Sequence, residues 1–281
     1  MSEPVELSAA IMVFNGVELI ERCVESLAFC DEIVVVDDMS TDGTWELLQR
    51  LPVKARQHAH TTFAAQRALA RDLSCGRWVL TIDADETITP ELATRIREAI
   101  ARPDAPDGFE LCHRMPYPRG MEGHVWSWRP RLVRREKCRW IDTDSPHSPL
   151  DEAGLDLRRL GGRGEGWMEH IPLPSLPEAL RKSINRSIIL AAQGRARGKQ
   201  PGVLRLFAAS LYRFLKTWLT TGAWRHGRAG VLVSCLPAFE TFTKYAFLLA
   251  PPPADDQALQ DGGPGSYPAQ SPLVSTELND R

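Results

Sequence analysis

The chain has 281 residues, of which 43% are hydrophobic and 25% charged, a composition typical of a globular protein large enough for one sizeable α/β domain. Its formal net charge of −2 points to no partner selected by overall charge. None of its six cysteines lies in Cys-x-x-Cys spacing, so the sequence favours a reducing compartment and gives no support to a zinc site. The first residues are acidic where a signal peptide carries Lys or Arg, and we therefore expect a cytoplasmic protein.

The first hundred residues alternate between short apolar strands and segments with helical spacing of apolar residues. Strands are predicted at 8–14, 32–38, 53–58 and 77–85, and helices at 17–29, 44–51, 63–74 and 89–101. In the last helix, Thr89 is placed to act as the N-cap and Pro90 to occupy the first helical position. This alternation predicts a parallel sheet with helices on both faces, in which ligands bind at the carboxyl ends of the strands.

The pattern changes after residue 107. Strands and loops are predicted over 107–120, 129–140 and 154–162, followed by helices at 176–195 and 203–220 and by a Pro- and Gly-rich tail without periodicity from Pro251. We therefore predict three regions, namely an α/β domain over 1–175, a basic amphipathic helical extension over 176–250 and a disordered tail over 251–281.

The predicted extension is strongly basic. Between Glu178 and Glu240 there are eleven Lys or Arg residues and no acidic residue, with aromatic residues interleaved among them. This composition fits a surface that lies against anionic lipid headgroups, and equally a solvated helix face packed on the core domain. No RNA-binding motif accompanies the charge, so no nucleic-acid partner is expected. The apolar stretch 229–250 contains Pro237, Glu240 and Lys244, which argues against a simple transmembrane helix.

Two acidic clusters follow predicted strands. Asp83 and Asp85 come at the end of the strand 77–85, and Asp37 and Asp38 end the strand 32–38. Because the carboxyl ends of parallel strands share one edge of a sheet, both clusters should lie there together. Asp83 and Asp85 could hold Mg²⁺ or Mn²⁺, which would bridge substrate phosphates and neutralise a departing diphosphate; alternatively they cap a turn that leads into a helix.

The cluster at 37–38 has its own two interpretations. Its carboxylates could accept hydrogen bonds from a base or a ribose, and Gly43 in the following Ser-Thr-Asp-Gly turn allows close approach of the backbone. The alternative is an ordinary turn closed by an Asx cap.

The stretches SAAIMVFN, IERCVESL, DEIVVVDDMSTDGTWELL and WVLTIDADETITPEL together resemble family 2 glycosyltransferases, the inverting enzymes with a GT-A fold, over roughly residues 7–102. Later stretches, PEALRKSINRSIILAAQ and GRAGVLVSCLPAFETFTKY, resemble the lipopolysaccharide core β-1,4-glucosyltransferases that act on inner-core heptose. The resemblance implies a Rossmann-like, mostly parallel sheet flanked by helices, with a C-terminal helical extension. It also implies metal-dependent transfer of a hexose, with UDP-glucose as the expected donor and a saccharide or lipid-linked saccharide as acceptor at the inner face of the plasma membrane.

The resemblance also assigns roles at the nucleotide. Asp37 matches the acidic residue that binds the base, and Asp38 follows it directly. Asn15 matches a position near the nucleotide, although the family's Lys-Asn-Glu is Phe14-Asn15-Gly16 in this chain. Gln66 and Arg67 match helix positions that approach the nucleotide, and Arg67 could pair with a phosphate.

For the metal, the resemblance points to the Asp-x-Asp motif. Asp83 and Asp85 match that motif, with Asp85 as the expected direct ligand of Mg²⁺ or Mn²⁺ and Asp83 also near the donor. His170 matches a histidine position that could complete the metal shell or touch the diphosphate; a structural role is the alternative.

The catalytic base departs from the family pattern. The subgroup usually carries Val-His-Glu, whereas this chain has Pro146-His147-Ser148, so Ser148 stands at the expected Glu. The candidates that could take the proton of the acceptor hydroxyl are Asp144, His147, Asp151 and Glu152. Two alternatives stay open, namely a degenerate, non-catalytic nucleotide-binding scaffold and a polyprenyl-phosphate sugar transferase with a lipid acceptor.

Overall fold

The structure is a computed structural model that describes residues 5–59, 61–142, 149–171 and 175–250. The strands are β1 (Leu7–Val13), β2 (Glu32–Asp37), β3 (Lys54–Gln57), β4 (Trp78–Asp83), β5 (Glu86–Ile88), β6 (Gly108–Pro116), β7 (His124–Arg134), β8 (Leu157–Leu160) and β9 (Met168–His170). The helices are α1 (Ile20–Ser26), α2 (Thr44–Leu48), α3 (Phe63–Leu73), α4 (Pro90–Ile100), α5 (Leu176–Ala196), α6 (Val203–Thr220) and α7 (Gly227–Leu249), with short 3₁₀ helices at Arg135–Lys137 and Ala223–His226.

The strands form one sheet in the order β3-β2-β1-β4-β7-β6-β9-β5, with β8 beside β6. Among the described residues, five strand pairings are parallel and three are antiparallel. The first four strands in this order are mutually parallel, because helices α1 to α3 provide the crossover connections. The predicted GT-A architecture, a mostly parallel sheet flanked by helices with a C-terminal helical extension, is therefore confirmed.

The central strands are covered on both faces. One face packs against α1 and α4, where Ile20, Val24, Leu92 and Ile96 join the main hydrophobic core. The other face packs against α3 through a smaller cluster that contains Ala10, Val36, Ala70 and Val79. Burial on both faces explains why β1, β2 and β4 are nearly continuous apolar runs in the sequence.

Two strands that the sequence analysis did not predict complete the sheet. The fourth strand was expected to run to residue 85, but β4 ends at Asp83 and a tight turn leads into β5. Strand β5 pairs antiparallel with β9, in the register Glu86 to His170 and Ile88 to Met168. Each strand has only three residues, which is too short for a period of two to be recognised in a sequence.

The start of α4 follows the prediction. Thr89 is the N-cap and Pro90 the first helical residue. The Thr89 Oγ1 atom accepts a hydrogen bond from the Leu92 amide at 3.4 Å and another from the Trp167 amide at 3.0 Å. This one hydroxyl group therefore caps the helix and also fixes the segment that leads into β9.

The helices at the C-terminal end pack mainly on each other. Ser187 Oγ of α5 lies 2.6 Å from Thr243 Oγ1 of α7, and Gly194 of α5 lets Leu248 approach closely. Helix α6 has the predicted bounds, but Leu206 is its only residue in the buried core. Most of the apolar residues of this helix are exposed, whereas Phe214 and Trp218 are half-buried and Phe207 contacts Phe242 of α7.

The segment Ala223–Leu249 is the one described helix that is long and apolar enough to cross a membrane, judged by length and composition, and little of it is buried. Pro237, Glu240 and Lys244 lie within it, and the expectation that it is no simple transmembrane helix stays a prediction. The same holds for the domain boundaries, and the predicted tail from residue 251 lies outside the described residues.

We expect Glu32 to stabilise the parallel half of the sheet. Its buried carboxylate accepts hydrogen bonds from Ser8 Oγ, from Lys54 and, at 2.8 Å, from the Cys75 amide. Burial alone would raise the pKa of Glu32, but these donors together hold the pKa below its usual value. Replacing it by glutamine (Glu32→Gln) should lower the free energy of unfolding by about 1.5–3 kcal/mol at neutral pH, because hydrogen bonds to a charged group are lost.

The pH dependence of chemical denaturation checks this prediction. A depressed native pKa stabilises the fold fully above the unfolded pKa of about 4.3, and that stabilisation is lost as the pH falls through the native pKa. The difference between wild type and Glu32→Gln should therefore shrink in acid. The variant Glu98→Gln alters an exposed carboxylate on α4 and should change neither the free energy of unfolding nor its dependence on pH. A constant difference down to strongly acidic pH would contradict the assignment.

Candidate active site

Asp37 anchors the carboxyl end of β2. It is fully buried, and its carboxylate accepts hydrogen bonds from Gln57 Nε2 at 2.9 Å, from the Ser40 amide at 3.2 Å and from the Ser40 hydroxyl. These contacts fix the loop that follows β2 against β3. The predicted nucleotide-binding carboxylate is thus rigidly held, and it lies at the edge of the sheet where parallel strands end.

The loops after β1 and β2 are tied together by side chains. Asn15 has a positive φ of 50°, its amide donates to Ser40 Oγ at 2.8 Å, and its Oδ1 accepts from the Thr41 amide at 2.9 Å. The Asp42 carboxylate accepts from the amides of Val17 and Thr44. The Ser-Thr-Asp-Gly segment is thus a closed turn of the Asx type, and it positions Asn15 at the sheet edge.

Gln66 connects α3 to the same edge. Its side-chain amide donates to Asp38 Oδ1 at 3.3 Å and to the carbonyl of His58 at 2.9 Å, and its Oε1 lies 3.2 Å from His58 Nδ1. Gln66 is buried whereas Asp38 is partly exposed. The two predicted nucleotide contacts at 38 and 66 therefore lie side by side, with Asp38 the more accessible to a ligand.

The acidic turn after β4 is built around two arginines. Asp83 Oδ1 lies 3.1 Å from Arg67 Nη2, and Asp83 Oδ2 lies 2.8 Å from Arg131 Nη2. Burial alone would raise the pKa of Asp83, but the charges of Arg131 and Arg67 outweigh it and hold the pKa far below its usual range. Asp83 is therefore ionised and already neutralised by protein cations, and Arg67, expected to meet a phosphate, pairs with Asp83.

Arg131 also holds the buried Glu86. Its Nη2 lies 2.8 Å from Glu86 Oε1, while Glu86 Oε2 accepts a hydrogen bond from the Asp83 amide at 2.9 Å. His113 Nε2 lies 3.2 Å from Glu86 Oε1. One guanidinium group thus bridges two carboxylates, and Glu86 in turn fixes the backbone of the turn that carries Asp85.

Asp85 and His170 form the accessible pair of the site. His170 Nε2 lies 3.2 Å from Asp85 Oδ2, and both side chains are partly exposed. The antiparallel pairing of β5 with β9 brings these residues together across 85 positions of sequence, and the Ile171 amide donates to the Asp85 carbonyl at 2.8 Å. Burial alone would lower the pKa of His170, but its hydrogen bond to Asp85 and the charges of Asp85 and Glu86 raise it.

The orientation of His170 suits metal binding. Its Nδ1 lies 2.8 Å from the Ile171 carbonyl, so this nitrogen carries the proton and donates it to the backbone. The Nε2 atom, which faces Asp85, is then free to act as a ligand when the ring is neutral. Within the described residues, no cluster of three or more His, Cys, Asp or Glu side chains is arranged for a metal ion. Asp85 and His170 fit a divalent cation whose other ligands come from substrate oxygens or water.

Of the four candidate bases, Asp151 and Glu152 lie within the described residues. The Asp151 amide donates to the Arg139 carbonyl at 2.8 Å, and Asp151 Oδ1 accepts from the Ala153 amide at 3.2 Å, while Glu152 is exposed. Both residues lie just after a loop whose ends are joined by the Ile141 amide and the Pro149 carbonyl at 3.0 Å. Asp144 and His147 lie within that loop and outside the described residues, as does Ser148.

Several side chains that hold the site together were not predicted from the sequence motifs. Ser40 and Gln57 hold Asp37, while Glu86, His113 and Arg131 hold the acidic turn. Two of them carried a local signal, because Ser40 begins the Ser-Thr-Asp-Gly turn and Glu86 directly follows the Asp-x-Asp motif. The partners on β3, β6 and β7 come from distant parts of the chain and carry no spacing that would reveal them.

The family model described as Glycosyl transferase family 2 matches residues 8–144. Over 253 residues the chain is 30% identical to the lipopolysaccharide core biosynthesis glycosyltransferase LpsC of Rhizobium meliloti (strain 1021). This match covers 87% of this chain and 90% of LpsC. The chain therefore belongs to glycosyl transferase family 2.

Other relatives extend the comparison. An uncharacterized glycosyltransferase of Rickettsia typhi (strain ATCC VR-144 / Wilmington) is 32% identical over 252 residues, or 86% of each chain. Among solved structures, that of S. aureus TarS 1–349 superposes on this chain with a TM-score of 0.43 and 16% sequence identity. The superposition covers 84% of this chain and 91% of the TarS chain.

Removing the central arginine should destabilise the protein. In Arg131→Met, the buried Glu86 and the adjacent Asp83 lose their shared counter-charge, and we expect the free energy of unfolding to fall by about 3–5 kcal/mol. Arg129→Met removes an exposed arginine from the same strand and should have little effect. Urea denaturation at neutral pH measures both variants, and equal stability of the two would contradict the role given to Arg131.

Proposed function

We propose that the protein is a metal-dependent, inverting hexosyltransferase of lipopolysaccharide core or other cell-envelope glycan synthesis. The observation that carries the proposal is the Asp85–His170 pair, exposed at the carboxyl edge of a sheet whose other acidic residues already have protein partners. Membership of the family and the similarity to LpsC over most of both chains support the reaction class and the pathway. We place the reaction at the cytoplasmic face of the membrane.

The donor is a nucleotide-sugar, with UDP-glucose as the expected one. Asp37 and Asn15, held by Ser40, form a rigid cradle for the base and ribose at the ends of β1 and β2. Asp38 offers a partly exposed carboxylate beside Gln66. Arg67, which pairs with Asp83, supplies positive charge next to the place where the diphosphate would lie.

Asp85 and His170 would hold the metal ion together with the diphosphate. Mn²⁺ suits this pair better than Mg²⁺, because imidazole is a poor ligand for the harder ion. When bound, the cation neutralises charge that develops on the leaving nucleoside diphosphate. Asp83 contributes indirectly, since its contacts with Arg67 and Arg131 fix the turn from which Asp85 projects.

Inversion requires a base on the acceptor side. A carboxylate or imidazole must take the proton of the acceptor hydroxyl as this oxygen attacks the anomeric carbon and the bond to the diphosphate breaks. The candidates Asp144, His147, Asp151 and Glu152 lie within or next to the loop closed by Ile141 and Pro149. This loop is anchored by the apolar cluster of Val133, Cys138 and Leu150.

Titration calorimetry of UDP with and without Mn²⁺ tests the metal site. Wild type should bind UDP more tightly in the presence of Mn²⁺. In Asp85→Asn the increase in UDP affinity that Mn²⁺ produces should be at least about tenfold smaller than in wild type, because one of two protein ligands is weakened. Asp104→Asn changes an exposed carboxylate far from the site and serves as the matched control. Transfer of glucose from UDP-glucose should also fall in Asp85→Asn. Equal turnover by Asp85→Asn and wild type would refute the proposal.

Substitution of the four candidates identifies the base. One of Asp144→Asn, His147→Gln, Asp151→Asn and Glu152→Gln should lower kcat by about 10²-fold or more, because general base catalysis typically contributes that much. The affinity for UDP should be unchanged in that variant, since the base contacts the acceptor. If all four variants keep wild-type kcat, none of these four residues is the base.

Two specific observations favour other outcomes. Ser148 at the expected Glu favours a non-catalytic scaffold, which would bind UDP while wild type transfers sugar to no acceptor. The exposed apolar residues of α6 favour a polyprenyl-phosphate acceptor, for which the sugar product would partition into organic solvent. Extraction of labelled product from a reaction with core oligosaccharide and with polyprenyl phosphate separates these cases.

A further inference from the structure

Helix α6 carries an apolar stripe that the described structure leaves largely exposed, although its Phe207 ring contacts Phe242 of α7. Its residues are spaced by three or four positions, so they share one face of the helix. The exposed fractions of these residues are 82% for Leu204, 60% for Phe207, 60% for Leu211, 45% for Leu215 and 65% for Leu219. We call these five residues the α6 stripe. Single exposed leucines are common on soluble proteins, but a continuous stripe along one helix indicates an interaction surface.

The charges beside the stripe show which partner it fits. Arg205 and Lys216 are exposed on α6 at one border of the stripe, and the exposed Arg225 and Arg228 follow in the 3₁₀ helix and at the start of α7. The region from Glu178 to Glu240 contains no acidic residue between its ends. An apolar stripe flanked only by cations is complementary to a surface that combines hydrocarbon with negative charge, which is the interface of an anionic phospholipid bilayer.

Exposed aromatic residues agree with this partner. Tyr212, at 64% exposed, and Trp224, at 51% exposed, lie beside the stripe and just after α6. The amphipathic rings of tyrosine and tryptophan prefer the level of the lipid headgroups. A second copy of the chain fits less well, because association through this face would bring the cations of both copies together.

We infer that α6 lies parallel to an anionic membrane surface, with the α6 stripe inserted between the headgroups and the flanking cations in contact with lipid phosphates. Helix α7 stays with the protein in this arrangement, because it is tied to α5 by Ser187 and Thr243 and by Arg186 and Glu240, which are 3.6 Å apart. The attachment is thus peripheral.

The position of α6 relates the membrane to the active site. The 3₁₀ helix that follows α6 ends at His226, whose ring centroid is 5.4 Å from Tyr117 and 6.1 Å from His124. Those residues lie where β6 ends and β7 begins, at the same edge as the carboxyl end of β4, because β7 runs antiparallel to β4. Membrane binding through α6 would hold this edge beside the bilayer, and the supply of a lipid-anchored acceptor there rests on the proposed function.

Cosedimentation of the full chain with vesicles tests the inference without donor or acceptor, so it is independent of the transferase reaction. Wild type should bind vesicles of phosphatidylglycerol and phosphatidylethanolamine at low salt, bind pure phosphatidylcholine weakly, and be released by alkaline carbonate. Leu211→Ser with Leu215→Ser removes part of the stripe and should weaken binding at least tenfold. Both positions are exposed, so circular dichroism should report an unchanged fold.

A second pair of variants separates charge from apolar contact. Arg205→Gln with Lys216→Gln should weaken binding to anionic vesicles roughly thirtyfold, since each cation near such a surface contributes about a factor of five. Arg135→Gln with Lys137→Gln removes the same charge from the 3₁₀ helix after β7 and should bind like wild type.

Four results would overturn the inference. In the first, wild-type protein stays in the supernatant with anionic vesicles. In the second, Leu211→Ser with Leu215→Ser binds as tightly as wild type. In the third, alkaline carbonate fails to release the bound protein, which would indicate that α7 spans the bilayer. The fourth is concentration-dependent dimerisation without lipid that the serine variants abolish, which would make the stripe a contact between copies.

Discussion

The candidate site depends on one cation, the largely buried Arg131. Arg131 lies on β7, yet its guanidinium contacts both Asp83 at the end of β4 and Glu86 at the start of β5. Burial in a low-dielectric interior makes each unpaired charge costly, so the three groups must stay together once the sheet has formed. The turn between β4 and β5, which projects Asp85, therefore has little freedom to move. The antiparallel pairing of β5 with β9 then sets the distance between Asp85 and His170.

This arrangement gives the two aspartates of the Asp-x-Asp motif different tasks. Asp83 is neutralised by Arg67 and Arg131 and acts as a structural anchor whose partners come from α3 and β7. Asp85 is partly exposed, and within the described residues its carboxylate pairs with His170, a contact that it can exchange for a cation. The charges of Arg67 and Arg131 offset the repulsion between the carboxylates of this acidic turn, and the Asp85 carboxylate stays accessible.

The first half of the fold was readable from the sequence because its signals are local. Continuous apolar runs gave β1, β2 and β4, and Thr89 with Pro90 marked the start of α4. The acidic clusters could be assigned to one edge because parallel strands share their carboxyl ends. The sequence does not predict which residues that are distant along the chain come into contact. Arg131, His113 and Gln57 lie in strands without a motif, and β5 and β9 are too short to show a period. For α6 the spacing identified an apolar face, but only the packed structure shows that this face points outwards.

The loop that carries Asp144 and His147 begins and ends at one closed point. Trp140 and Leu150 form a bridge there, the Ile141 amide donates to the Pro149 carbonyl, and the apolar cluster around Cys138 secures both sides. Substitutions between these ends leave the residues that make the closing contacts unchanged. The segment can thus diverge among descendants of a common ancestor while the sheet and its acidic turn are preserved.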